Sequence, residues 1–109
     1  ADEINVAKEL QEGSIFTYYQ QLIKLRKDYP VIAKGSYEAF LPEHPQIYGF
    51  VRRLEEHSLL VLNNFFPTET TINIPEEFLT GNILIDNYET QAVDEVITLK
   101  PYQTIAIYH

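Results

Sequence analysis

Paired carboxylates are the residues of this chain that could most readily carry out chemistry. Cleavage of a glycosidic bond, for example, uses two carboxyl groups that face each other across the bond. All of the candidates fall on predicted turns or strand ends, where neighbouring carboxylates are usually solvated and favour solubility. We therefore expect no catalytic role for them and assign no catalytic residue. The candidates are Glu55, Glu56, Glu76, Glu77, Asp86, Glu89, Asp94 and Glu95.

Metal and cofactor sites have little support in the sequence. The acidic stretch from Asp86 to Glu95 could offer oxygen ligands to Ca²⁺, but its spacing matches no EF-hand loop, so we expect a solvated loop. His44, His57 and His109 are far apart in sequence and lack the spacing of zinc ligands. The chain has neither a glycine-rich phosphate loop nor a G-x-S-x-G motif. We expect no metal and no cofactor.

The aromatic residues are the unusual part of the composition. The chain has eight tyrosines and six phenylalanines but no tryptophan. Aromatic faces can stack on sugar rings, so a carbohydrate-binding patch is one hypothesis. Most of these rings fall on predicted inward strand faces or on helix stripes, which favours core packing instead. Tyr88 and Tyr102, beside predicted loops or turns, are the candidates for sugar stacking.

The size and charge of the chain limit its class and its partners. Its 109 residues suffice for one small domain, and its apolar share of 45% is that of a globular protein. The formal charge of -8 disfavours nucleic acid and anionic membranes as partners, because an acidic surface repels phosphate groups. No apolar run approaches the roughly 20 residues that span a bilayer, so we expect no membrane partner, and we expect no signal peptide.

The sulfur-containing residues are absent. Without cysteine the chain forms no disulfide and no cysteine-based metal site, which fits a reducing compartment, and we expect a cytoplasmic location. The absence of methionine, even at position 1, fits either removal of an initiator or excision from a longer protein.

One long helix is predicted near the start of the chain. Ser14 is a good N-cap, and Pro30 ends the helix near Asp28 because it pushes the preceding residue out of the helical region. Two adjacent apolar rows make its apolar face wider than the ~100° stripe of an ordinary surface helix. Either one broad sheet covers both rows, or the helix lies between two bodies. The first row is Ile15, Tyr18, Leu22, Leu25 and Tyr29, and the second is Phe16, Tyr19 and Ile23.

The pattern changes from helical to β after Gly35. Short alternating segments separated by turns predict about seven or eight strands, and residues 58–65 are so continuously apolar that we place that strand centrally, with both faces covered. The prediction is a mainly β fold: an antiparallel Greek-key β-sandwich preceded by one long α-helix. The predicted strands are residues 36–41, 46–54, 58–65, 70–74, 82–86, 96–99 and 103–108.

Several motifs occur in order along almost the whole chain. They are Ile4-Asn5-Val6, the helix from Ser14 to Lys27, Pro30-Val31, Gly35-Ser36-Tyr37, Leu41 to Leu54, Leu59 to Phe65, and Leu99-Lys100-Pro101-Tyr102 through Tyr108. Together they resemble the C-terminal region of glycoside hydrolase family 13. The similarity is greatest to the branch of oligo-1,6-glucosidases, α-glucosidases and trehalulose synthases, in which the first two motifs belong to the end of the catalytic barrel and its last helix.

The resemblance implies a domain division and a structural role. Residues 1 to 34 would be the end of a (β/α)₈ barrel, including its last helix, and residues 35 to 109 the C-terminal β-sandwich. The family's catalytic residues, an Asp nucleophile, a Glu acid/base and a second Asp, lie on barrel strands whose motifs this chain does not contain. None is carried over, and we expect no hydrolase activity from the chain alone.

The resemblance also implies a partner, namely the rest of the catalytic barrel. The chain would pack on it and stabilise it through the helix, and isolated copies could self-associate through the same apolar face. Two alternatives are a carbohydrate-binding module and a free-standing interaction domain that buries its own helix. The predicted packing residues are Ile15, Phe16, Tyr18, Tyr19, Leu22, Ile23 and Leu25.

Overall fold

The computed structural model describes residues 18–109. The predicted cap at Ser14 and the packing residues Ile15 and Phe16 lie outside the described residues. Helix α1 occupies residues 18–25 in the described part of the chain, and a turn over residues 26–28 follows. The backbone N–H groups of Asp28 and Tyr29 both donate to the carbonyl oxygen of Leu25. The bond from Asp28 spans three residues, as in a 3-10 helix, so the backbone is more tightly wound near the predicted end at Asp28.

A second, short helix follows directly and was not predicted. Pro30 occupies the N-cap of α2, Val31–Lys34, with φ of -54°, an angle that proline already favours. From the sequence, Pro30 predicts only the end of α1. Val31 and Ile32 of this helix are buried, so the turn between the helices brings two more apolar side chains to the sheet.

Seven strands follow the helices, as predicted, and all of their pairings are antiparallel. They form a five-stranded sheet in the order β1-β2-β3-β7-β5 and a two-stranded sheet of β4 and β6, which confirms the mainly β fold. A 3-10 helix, Glu76–Phe78, precedes β5. The strands are β1 (Glu38–Phe40), β2 (Ile47–Leu54), β3 (His57–Asn64), β4 (Thr70–Asn73), β5 (Asn82–Asp86), β6 (Val96–Leu99) and β7 (Thr104–Tyr108).

Both faces of the five-stranded sheet are covered. Side chains between the two sheets form the main core, with Phe78 of the 3-10 helix among them. A second apolar cluster lies on the opposite face, between that sheet and the two helices. The central position predicted for residues 58–65 is confirmed, because β3 lies in the middle of the sheet and Leu60, Val61 and Leu62 are fully buried.

An irregularity in β5 determines which cluster its residues join. Ile83 pairs with Ile107 and Ile85 pairs with Ala106, so one residue, Leu84, is inserted between them. A β-bulge of this kind changes the alternation of side chains along a strand. Ile83 consequently packs into the core between the sheets, whereas Ile85 packs on the helix side.

Candidate functional site

Helix α1 rests on the five-stranded sheet through the first of its two predicted apolar rows. Tyr18, Leu22, Leu25 and Tyr29 all pack against the helix-side cluster. The ring of Tyr29 meets the ring of Tyr108 edge to face, with centroids 4.8 Å apart. The chain therefore covers one row of the helix with its own sheet.

The second row of α1 points away from the sheet. Tyr19 is 57% exposed and Ile23 is 61% exposed. A free-standing domain that buried its own helix would cover both side chains. Among the described residues, the sheet therefore covers one apolar row of the helix and not both.

The residues under α1 follow directly from strand register. On the helix side of the sheet, Arg52 lies opposite Leu59, Phe50 opposite Val61, and Tyr48 opposite Asn63. The first two rows reach the clustered side chains beneath the helices, but the row of Tyr48, Asn63 and Thr104 lies at the end of the sheet. That end forms the floor of a cavity.

The cavity has a volume of about 380 Å³ and lies between α1 and the sheet. Neutral side chains predominate in its lining, and among the described residues that line it Arg52 is the only one with an ionised side chain. The lining residues are Tyr18, Tyr19, Leu22, Tyr48, Phe50, Arg52, Asn63, Asn64, Phe65, Tyr102 and Thr104.

Four aromatic rings form a continuous strip along this side of the sheet; we call Tyr37, Tyr48, Phe50 and Phe65 the aromatic strip. The ring of Phe50 lies 5.3 Å from that of Tyr37 and 5.7 Å from that of Tyr48, and the ring of Phe65 lies 6.1 Å from that of Tyr48. Tyr37, Tyr48 and Phe65 remain about half exposed. These three rings are exceptions to the expectation that most rings pack in the core.

Several polar side chains around the cavity are bonded within the chain. Asn63 donates through Nδ2 to the carbonyl oxygen of Tyr48, and its Oδ1 accepts from the hydroxyl of Thr104. Arg52 donates to the carbonyl oxygens of Gly35 and Ser36. The accessible surface here therefore consists chiefly of ring faces.

Two tyrosine hydroxyls at the site have raised pKa values. Burial is the main cause for Tyr18 and raises its pKa to about 12, with Tyr19 and Tyr48 adding to the effect. A hydrogen bond with Tyr37 is the main cause of the raised pKa of Tyr48. Both phenols stay neutral at physiological pH, so they add no charge to the site.

The two candidates for sugar stacking lie on different surfaces. Tyr88 is partly buried; burial raises its pKa, and its hydroxyl donates to the carbonyl oxygen of Pro101 at 2.7 Å. It lines a different pocket, which Thr98 and Lys100 also line. Tyr102 lies in the left-handed region, with φ of 55°, and lines the aromatic cavity. The structure does not bring these two rings together.

The carboxylates considered for chemistry are mostly solvent-exposed or bonded within the chain. Glu77 forms a bidentate pair with Arg53 (2.6 and 2.8 Å), which lowers the pKa of Glu77. Asp86 accepts from the backbone of Tyr88 and Thr90 at the start of the acidic loop. Within residues 18–109, no three His, Asp or Glu side chains cluster in a way that could hold a metal ion.

Comparison with known proteins places this architecture in a family. The model of the alpha-amylase SusG C-terminal domain matches residues 47–106, more than half of the chain. The chain belongs to the SusG C-terminal domain family. Within the described part of this family member, no helix is long and apolar enough to cross a membrane.

Full-length relatives of this SusG C-terminal domain agree with the resemblance seen in the sequence. The chain is 43% identical over 108 residues to an oligo-1,6-glucosidase of Heyndrickxia coagulans, and 35% identical over 107 residues to a palatinase of Erwinia rhapontici. These alignments cover 98% and 94% of this chain but only 19% of each relative. The chain thus corresponds to the C-terminal domain of such enzymes, about a fifth of their length.

A crystal structure supports the same assignment. The trehalose-6-phosphate hydrolase of Bacillus licheniformis superposes with a TM-score of 0.74 and 31% identity, over 86% of this chain and 18% of that one. The resemblance to the C-terminal region of glycoside hydrolase family 13 enzymes, inferred from sequence motifs, is confirmed.

The aromatic strip is not among the sites predicted from the sequence. The alternation in β2 predicts Tyr48, Phe50 and Arg52 on one face, which the structure confirms. Alternation does not distinguish a face covered by the chain's own helix from one left open, so it does not reveal that Tyr48 is exposed. The signal that could have revealed the strip is the density of aromatic residues at Tyr37, Tyr48 and Phe65–Phe66, around strands that a single helix is too narrow to cover.

Proposed function

We propose that this chain is the C-terminal region of a longer α-glucosidase that hydrolyses α-glucosidic bonds in oligosaccharides. Within that enzyme its role is structural: it packs on the catalytic barrel and stabilises it. The names of the relatives, oligo-1,6-glucosidase and palatinase, support the substrate class. Because the chain aligns with only 19% of each, most of the enzyme would lie outside it.

The outward face of α1 is the observation that carries the proposal. Tyr19 and Ile23 are large apolar side chains on a helix whose other row already packs on the sheet. Covering each would stabilise the assembly by about 1.5–3 kcal/mol. We assign residues 1 to 34 to the end of the barrel and residues 35 to 109 to the β-sandwich, so that α1 is the shared element.

The chain alone has no hydrolase activity in this proposal, because the family's catalytic motifs belong to the barrel. The purified chain incubated with isomaltose, or with p-nitrophenyl α-glucoside, would release no glucose or nitrophenol above buffer. Turnover that follows the chain through purification would sink this part of the proposal. The cytoplasmic location expected from the sequence stays a prediction.

The packing role is tested by a double variant measured in two settings. Tyr19→Ser with Ile23→Ser should lower the free energy of unfolding of the longer enzyme by about 3 kcal/mol, because both side chains are covered there. In the isolated chain the same change should cost within about 0.5 kcal/mol, since both side chains face water.

The matched control is Val96→Ser, because Val96 is also exposed but lies on the two-stranded sheet, on the opposite side of the molecule. It should have a small effect in both settings. An equal, small effect of the double variant in the enzyme and in the chain would mean that α1 does not pack on the barrel.

A carbohydrate-binding module is the second candidate function. The cavity beside Tyr48 and Tyr102 is the observation that favours it. Titration of the isolated chain with isomaltose or maltose, followed by tyrosine fluorescence or amide chemical shifts, distinguishes it from a structural role. Saturable changes at low millimolar sugar would support binding.

A further inference from the structure

We propose that the aromatic strip is a second contact surface for the catalytic barrel. Apolar side chains of the barrel would pack on it, next to the outward face of α1. The inference rests on the proposed function. It adds to the helix face a specific part of the sheet, formed by Tyr37, Tyr48, Phe50 and Phe65.

The strip and the helix face form one surface. Tyr19 packs edge to face on Tyr18, with centroids 5.6 Å apart, and both line the cavity whose far wall includes Tyr48 and Phe65. Tyr19, Tyr37, Tyr48 and Phe65 are each between 45% and 57% exposed. A contiguous apolar surface of this kind on a small soluble domain marks a contact site for a partner.

The bonding of the polar groups favours an apolar partner over a sugar. A sugar site presents donors and acceptors that point at the ligand. Around this cavity, Asn63 bonds to Tyr48 and Thr104, and Arg52 bonds to the backbone of Gly35 and Ser36. The hydroxyls of Tyr37 and Tyr48 bond to each other at 2.7 Å. Within the strip, the exposed surface offered to a partner is therefore chiefly the ring faces of Tyr37, Tyr48 and Phe65.

The charge distribution leads to the same partner. The chain has 16 Asp and Glu residues, yet none of those described lines the cavity. Depletion of charged residues and enrichment in Tyr and Phe characterise the centre of protein interfaces. About four-fifths of the length of each relative lies outside the part that this domain matches, so a covalently attached body is available to cover the surface.

Hydroxyl-radical footprinting with mass spectrometry tests the inference without any substitution. Oxidation rates would be compared between the isolated chain, kept dilute enough to be monomeric, and the longer enzyme. Tyr19 and Ile23 report on the helix face, and Tyr37, Tyr48 and Phe65 report on the strip. Val96 is the control on the opposite side of the molecule.

We expect oxidation of both sets to fall at least about threefold in the enzyme, because interface centres pack as tightly as protein interiors, while Val96 is unchanged. Protection of the helix face without the strip would overturn this inference and leave the proposed function standing. Protection of neither set would overturn both. Protection of the strip in the isolated chain by isomaltose would overturn the inference in favour of a sugar site.

Discussion

The hydroxyl groups of Tyr37 and Tyr48 form a hydrogen bond of 2.7 Å on the helix side of the sheet. The bond connects the residue that precedes β1 with strand β2. In this bond one hydroxyl donates and the other accepts, and both rings lie beside the ring of Phe50. Two polar tips are thereby turned towards each other, and the ring faces are left for contact. The pair is what makes this part of the surface apolar in character although it is built from tyrosines.

The first prediction concerns this pair. The hydrogen bond with Tyr37 is the main cause of the raised pKa of Tyr48, so Tyr37→Phe should let Tyr48 ionise at lower pH, closer to its ordinary value. The measurement is a pH titration of phenolate ultraviolet absorbance. Tyr88→Phe is the control, because Tyr88 bonds to Pro101 instead and its removal should leave the titration of Tyr48 unchanged. An unshifted titration in Tyr37→Phe would mean that the pair is not formed in solution.

The second prediction concerns alkaline pH. Tyr18 has a pKa of about 12 in the folded chain and 10.0 as its ordinary value, so between these values the folded state holds a proton that the unfolded state has lost. Stability is then fully present below about pH 10 and falls as the pH rises towards 12. Urea unfolding across this range should show a steeper loss in the parent chain than in Tyr18→Phe. Parallel pH profiles for the two would contradict the buried position of Tyr18.

The third prediction concerns the ion pair of Arg53 and Glu77, which links β2 to the 3-10 helix. Arg53 lowers the pKa of Glu77, so the pair stabilises the fold above the unfolded pKa of Glu77 and loses that effect as the pH falls through the lowered value. Because both side chains are over a third exposed, Glu77→Gln should cost only up to about 1 kcal/mol at neutral pH. The cost should shrink in acid. Glu76→Gln is the control and should change stability little, because Glu77 and not Glu76 makes the bidentate contact with Arg53.

The fourth prediction concerns Gln103, a buried polar side chain beside the acidic loop. Its Nε2 donates to Asp86 and Thr90, and its Oε1 accepts from the backbone N–H of Lys100. Gln103→Leu removes these three bonds and leaves the backbone N–H of Lys100 without its acceptor, so it should cost about 2–3 kcal/mol in urea unfolding. Gln91→Leu, an exposed position in the same loop, should change stability little. A similar cost for both would mean that the network contributes nothing specific.

Much of the fold could be predicted because the relevant signals are local. The alternation in β2 and the continuous apolar run of β3 depend on sheet faces within this chain, and proline and glycine mark most of the turns. The short helix Val31–Lys34 was missed because four residues carry no periodicity. The bulge at Leu84 was missed because it depends on how β5 meets β7, which the sequence of one strand does not reveal.

The candidate site was less predictable, because exposure depends on what lies outside the chain. The two rows of α1 were recognised, but which row met the sheet was left open; the structure places Tyr18 and Leu22 against it and leaves Tyr19 outside. The aromatic strip was not recognised, because alternation places Tyr48 and Phe50 on one face of β2 without showing whether that face is covered. Aromatic side chains that pack in an interface and those that pack in a core have the same sequence pattern.

The last prediction follows from the uncovered face of α1. In the absence of a barrel, isolated chains should associate reversibly as concentration rises, because pairing two helix faces removes Ile23 and Tyr19 from water. Sedimentation equilibrium would measure the association.

Ile23→Lys should shift the chain towards monomer, because a cation would have to be desolvated in the contact, whereas Val96→Lys should leave the association unchanged. Because Ile23 is exposed in the isolated chain, its substitution should leave the stability of that chain unchanged. We therefore expect Ile23→Lys to weaken association without lowering stability. If the unsubstituted chain stays monomeric at all concentrations, this apolar face does not mediate self-association.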